Sequence, residues 1–144
     1  MMHNTKRLLA KTLTYSGTLP LIASAVCIYF PVNDFDSALI ARTYGAIIIS
    51  FLSGIHWAAY LFFAEKCPRN LLITSNVVAL LAWASLLATH PPIAITLQAL
   101  CFLYLLTLDL KLRDAGILPQ WFYSLRRNAT IIVVLCLAVI AGLS

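Results

Sequence analysis

The chain has 144 residues, 62% of them apolar and 10% charged, against a usual charged share of about 25%. So few charges cannot cover the surface of a water-soluble domain of this size, which leaves an integral membrane protein forming one compact domain, 1–144. The net charge of +5 sits in no basic run interleaved with aromatics on a polar segment, so nucleic acid is excluded as a partner.

In chain order, Met1 to Lys11 is polar and basic, and a first apolar span follows over about 13–30. Its basic start and small residues at Ala23-Ser24-Ala25 resemble a signal peptide, but the apolar part is longer than a usual h-region and holds Pro20. It reads as a retained helix. Pro31 stops it, and Asp36 or Ser37 caps a second span over about 38–63. Glu65 to Asn70 is a loop, with Asn70 as cap for a third span over about 71–88. His90-Pro91-Pro92 is a rigid turn incompatible with helix, and the fourth span covers about 93–112. Gly116 suits a helix C′ position and Pro119 the first turn of the next helix. Trp121, Phe122 and Tyr123 form an aromatic anchor. The last span covers about 121–143, with Arg126 and Arg127 snorkelling from it.

The fold class is therefore all-α: a bundle of five transmembrane helices. Orientation follows from the basic residues. With the N-terminus inside, Lys6, Arg7, Lys11, Lys66, Arg69, Lys111, Arg113, Arg126 and Arg127 lie inside and Arg42 alone outside. This selects N-in, C-out.

The second span carries two signals. Ala46, Ser50, Gly54 and Ala58 recur every fourth residue, a small-xxx-small stripe that lets another helix backbone approach closely in lipid. His56 is an ionisable group that the membrane interior normally rejects. It lies about 10 Å from the inner end of its helix. Asn76 on the third span, Asp109 on the fourth, and Tyr15 and Ser16 on the first fall in the same inner slab, so facing one another they form one polar cluster. Gln98 and Asp109, eleven residues apart, differ by only about 20° around their helix. Arg113 stands at the i,i+4 ion-pair spacing from Asp109.

Each residue has a structural reading beside the functional one. Asp109 with Arg113 reads as an interfacial pair. Asn76 reads as an interhelical hydrogen bond, worth on the order of 0.6 kcal/mol. His56 reads either as a neutral imidazole bonded to a neighbouring helix or as a ligand or proton site. No cofactor is specified: haem iron needs a second protein ligand, and His3 and His90 sit in a tail and an outer turn. Cys27, Cys67, Cys101 and Cys136 have neither CxxC nor zinc-ligand spacing and read as small hydrophobes. No serine or cysteine nucleophile has a base-orienting arrangement.

The stretch Tyr44-Gly45-Ala46-Ile47-Ile48-Ile49-Ser50-Phe51-Leu52-Ser53-Gly54-Ile55-His56-Trp57 resembles the YGAxILSFLGGxxWG signature of the domain of unknown function 3429 family. Leu108-Asp109, Ala115 to Phe122, and Leu125-Arg126 resemble that family's second signature, and Leu13 to Ala25 its opening helix. Ser53 and Ala58 stand where the family has glycine; both are small. The resemblance implies a five-helix protein of bacterial inner membranes, in a family with a mitochondrial branch and no established activity. It marks Tyr44, Ser50, Gly54, Trp57, Asp109, Gly116, Pro119, Trp121 and Arg126 as positions to watch. The arginine-poor N-terminus favours a bacterial source.

Two functions follow as expectations. One is a non-enzymatic protein that assembles or stabilises a larger membrane complex, with other membrane subunits or a second copy as partner. The other is a membrane-embedded binder or carrier of a lipid, quinone, tetrapyrrole or proton. It would use a ligand or relay site of His56, Trp57, Tyr44, Asn76, Asp109, Arg113, Trp121 and Arg126.

Overall fold

A computed structural model describes residues 2–30 and 34–144. Pro31, read above as a helix stop, and Asn33 lie outside the described residues. The described elements are α1 (Met2–Ser16), α2 (Leu19–Tyr29), α3 (Ser37–Phe63), α4 (Leu71–Leu86), α5 (Pro91–Asp114) and α6 (Gln120–Leu143), with one 3₁₀ turn at Ala64–Lys66.

The first apolar rod, Asn4–Tyr29, is interrupted at Gly17-Thr18. Pro20 has no amide hydrogen to continue the ladder. Thr18 closes a tighter turn instead: its amide donates to the Tyr15 carbonyl at 3.0 Å, and its hydroxyl donates to the same oxygen at 2.7 Å. On α3, the Tyr44 hydroxyl donates to the Gly17 carbonyl at 2.8 Å, tying the break to the centre of the bundle.

Helix starts follow their caps. Asp36 accepts from the Leu39 amide at 2.9 Å, and Asn70 from those of Leu72 and Ile73. Pro91 and Pro92 are the first residues of α5 rather than a turn before it, since the first helical turn needs no amide donors. At its far end Gly116 takes φ of +75°. The Ile117 amide reaches the Leu112 carbonyl and the Gly116 amide the Arg113 carbonyl, which satisfies two orphan carbonyls. Pro119 stands just before α6 rather than inside its first turn.

Among the described residues four helices are long and apolar enough to cross a membrane: the rod Asn4–Tyr29, α3, α5 and α6. The 16 residues of α4 rise about 24 Å, less than a hydrocarbon core of about 30 Å. Length and hydropathy make the chain a membrane protein.

Packing is organised around α3, which lies against α2, α4 and α5, while α6 lies against α5 and α2. The core includes Leu21, Ile49, Leu71, Ile95, Phe102, Leu105, Leu112, Leu137 and Ile140. Gly45 faces α5 so closely that a Cβ there would collide with Gln98 Oε1.

The small-residue stripe lies differently from the sequence reading. Ala46 is buried, but Ser50, Gly54 and Ala58 are exposed, and an added Cβ on Gly54 would touch nothing. The buried face of α3 is instead Ala38, Ala41, Gly45, Ala46, Ile49, Leu52, Ser53, His56 and Ala59. That face is itself mostly small, while Ile47, Phe51 and Trp57 are exposed, so the close-packing strip of α3 within the chain runs beside the predicted stripe and shares only Ala46 with it.

Candidate functional site, a buried charged triad beside an apolar cavity

Three ionisable side chains from three helices meet inside the bundle. His56 comes from α3, Asp109 from α5 and Arg126 from α6. His56 and Asp109 are each 1% exposed and Arg126 7%. His56 Nε2 lies 2.7 Å from Asp109 Oδ1. Arg126 Nε and Nη2 donate to Asp109 Oδ2 at 3.1 and 3.0 Å. Asp109 thus uses both oxygens. An ionised carboxylate only accepts, so Nε2 carries a hydrogen, and in a neutral imidazole Nδ1 is then the atom with the lone pair. Nδ1 has no partner among the described residues, nor has Ser53 Oγ, three residues earlier on α3.

Helical periodicity builds this meeting. Asp109 sits on the α5 face that buries Gln98, Cys101, Phe102, Leu105 and Leu112. Arg126 sits on the α6 face that buries Tyr123, Thr130, Val133, Leu137 and Ile140. That stripe at spacings of three and four was readable in advance, and it separates Arg126 from the exposed Arg127. Arg127 is exposed, whereas Arg126, expected to snorkel, turns inward to a counter-charge.

The other candidate residues divide. Asn76 is exposed, and its Nδ2 donates to the Leu72 carbonyl of its own helix at 2.8 Å, so it joins neither the triad nor another helix. Its neighbour Ser75 takes the buried position. Arg113 does not pair with Asp109: its Nε and Nη2 donate to Asp114 Oδ1 at 3.0 and 2.8 Å, and its guanidinium covers the Tyr123 ring at 4.5 Å. Asp109 points inward, and Arg113, one turn on, has rotated off that face. Trp57 is 42% exposed. Ser16 is exposed, and Tyr15 meets the cluster through no hydrogen bond. Tyr44 is engaged by Gly17, outside the triad. Trp121 packs edge-on to Phe122, with Arg7 over its ring at 5.4 Å, which joins the starts of α1 and α6.

Beside the triad lies a cavity of about 340 Å³ between α1, α3 and α6, floored by Phe102 of α5. Leu13, Ile48, Phe51, Ile55, Phe122 and Val133 give it apolar walls, and Thr14, Thr18 and Thr130 add hydroxyl-bearing residues. Arg126 is the one charged residue on the wall; His56 and Asp109 are not on it. Neither the cavity nor the role of its threonines was legible in the sequence, because both depend on where the α1–α2 break places the first rod.

Among the described residues no group of three or more His, Cys, Asp or Glu is placed to hold a metal ion. The cysteines are free. Cys67, outside the spans, donates to the Ala59 carbonyl at 3.9 Å, and burial pushes its thiol up from the ordinary range.

The family described as "Protein of unknown function (DUF3429)" matches residues 7–142. Transmembrane protein 69 of Xenopus tropicalis is 31% identical over 126 residues, covering 82% of this chain and 46% of that protein, so the chain spans about half the relative's length. No solved structure matches the chain.

Proposed function

Because the chain belongs to the DUF3429 family, whose function is unknown, we propose an activity from its own geometry: it binds a small amphiphilic molecule taken up from the bilayer. The carrying observation is the cavity of about 340 Å³, apolar on nearly every side, with Arg126 as the one charged residue among those lining it. That combination is the usual make-up of a small-molecule site, a mostly apolar pocket with few placed polar groups. Because His56 is sealed behind Asp109, the ligand meets Arg126 rather than the imidazole. The basic ends of the helices support placing this protein N-in, C-out in a bacterial cytoplasmic membrane, or facing the matrix in a mitochondrial one.

Photolabelling in lipid nanodiscs tests the reading. A long-chain alcohol bearing a diazirine should label residues of the cavity wall, such as Ala129 and Thr130, and Thr130→Phe should remove that labelling while the protein stays folded. Labelling spread evenly over lipid-facing residues, unchanged by the substitution, overturns it.

A second reading rests on a different observation. Ser50, Gly54 and Ala58 present a smooth outward strip on α3, which supports an assembly or stabilising subunit docked through that face. Purification in several mild detergents should then bring a stoichiometric partner, and a clean monomer in all of them counts against it.

A further inference from the structure

We propose that the ligand is anionic and that its binding takes up one proton at His56. The inference rests on the cavity reading above and names its chemistry. Arg126 commits Nε and Nη2 to Asp109 Oδ2. Its Nη1 and the second hydrogen of Nη2 have no partner among the described residues, and the side chain lines the cavity. An acidic headgroup is the chemistry that a guanidinium nitrogen recognises in an apolar setting.

Charge balance supplies the proton. Arg126 and Asp109 cancel, and with neutral His56 the triad carries no net charge. An anion on Arg126 then leaves one negative charge unbalanced in a low-dielectric layer, where such a charge is costly. His56 holds the one basic atom able to correct this: Nδ1, buried, unpartnered and carrying a lone pair. A proton from bulk water forms the Nδ1–H bond, and the imidazolium, Asp109, Arg126 and the anion together sum to zero. Ser53 Oγ, one turn away on α3, is likewise buried and unpartnered, and it makes no hydrogen bond to Nδ1 in this arrangement.

The groups that set this equilibrium are few. Asp109 faces His56 from α5, and Arg126 stands behind Asp109 from α6. Tyr123 and Cys101 are the other buried titratable side chains on α6 and α5. The buried polar residues of α2 and α4 are the non-ionising Ser24, Ser75 and Ser85. Linkage fixes the sign. If the complex holds one more proton than the free protein, affinity falls about tenfold per pH unit wherever free His56 is neutral and the complex is protonated. By reciprocity the anion raises the proton affinity of His56 equally.

The test uses the full chain in phosphatidylcholine nanodiscs with a diazirine-bearing alkyl sulfonate, whose charge does not change with pH, and the matched alcohol. Sulfonate affinity should fall with rising pH, approaching tenfold per unit, while alcohol affinity stays flat. His56→Gln keeps a donor for Asp109 and lacks the second basic nitrogen, so its sulfonate profile should be flat. Independently of any variant, a dye in weak buffer should register about one proton taken up per sulfonate bound and none per alcohol. A flat wild-type profile, or a slope retained in H56Q, overturns the proposal. If sulfonate and alcohol label the cavity alike at every pH, this inference falls and the binding function stands; if neither labels it, both fall. Native mass spectrometry from nanodiscs containing phosphatidylglycerol separates the two sources of such an anion. A phospholipid retained by the wild type and lost from Thr130→Phe identifies a bilayer lipid; retention of added sulfonate alone identifies a free single-chain anion.

Discussion

One face of α5 carries two buried polar sites, and they are built differently. Near the start of the helix, Gln98 is fully buried. Its Nε2 donates to the Arg42 carbonyl at 2.7 Å and to Ser85 Oγ at 2.8 Å. Arg42 in turn donates to the Ala88 carbonyl at 3.1 Å. Eleven residues on, Asp109 joins Arg126 and His56. Gln98 is bonded only to neutral acceptors, both its amide hydrogens are used, and none of the residues of this site lines the cavity. Its unpartnered Oε1 is pressed toward Gly45. The Asp109 site is charged, shares Arg126 with the cavity wall, and its unpartnered atom is a base. Burial alone therefore does not mark function in this bundle. Charge held beside a space is what the proposed binding function uses, and the first site fixes how α3, α4 and α5 meet.

Asp109→Asn should break the comparison most. Asparagine still reaches His56, but it leaves Arg126 buried without its counter-charge. Removing one partner of such a pair costs about 3–5 kcal/mol. Reversible unfolding in mixed micelles measures the loss, and a change under about 1 kcal/mol would mean that water or lipid headgroups already neutralise Arg126.

Gly45→Ala tests the Gln98 site and should cost about 1–3 kcal/mol, the range for an overpacked core. The Cβ can be admitted only if Gln98 gives up its place, so the cost couples to that residue. In a Gln98→Ala background the same substitution should cost almost nothing. A double-mutant cycle reads this directly, and additive effects would refute the contact.

Gln98→Leu should cost less, about 1 kcal/mol, since hydrogen bonds between membrane helices average about 0.6 kcal/mol each. It should also leave cavity labelling unchanged. Lost labelling at full stability would mean that the two ends of α5 are coupled and not separate in role.

How much was legible beforehand follows the same division. The spans, the Asp36 and Asn70 caps and the Gly116 turn are local: each depends on residues within a few positions, and the structure shows each of those caps and that turn. The inward face linking Gln98 to Asp109 is also local, as a repeat within one helix. The partner of Asp109 was not. Arg113 stood at a good spacing on the same helix, and only the packing of α6 brings Arg126, seventeen residues away, to the carboxylate. Asn76 misled for a related reason: depth along a helix was known, but rotation about its axis was not, and Ser75 took the inward position. Small residues carry little direction at all. A stripe of them is compatible with a bundle interior or with an outer face, and α3 carries two such sets, of which Ala38, Ala41, Gly45, Ala46, Ser53 and Ala59 face the interior.

The smallest effect concerns that outer face. Gly54 sits in mid-helix, exposed, with open space where a Cβ would go. If only lipid covers it, Gly54→Ala removes a flexible residue from a helix interior and should stabilise the isolated protein by about 0.5–1 kcal/mol. If another helix packs there, the added methyl separates the backbones. The isolated protein then gains the same stability but loses its partner in mild detergent. Measuring unfolding and co-purification on this one variant therefore separates a lipid-facing wall from a docking face, and a stability loss in the monomer would place a neighbour from the chain itself against Gly54.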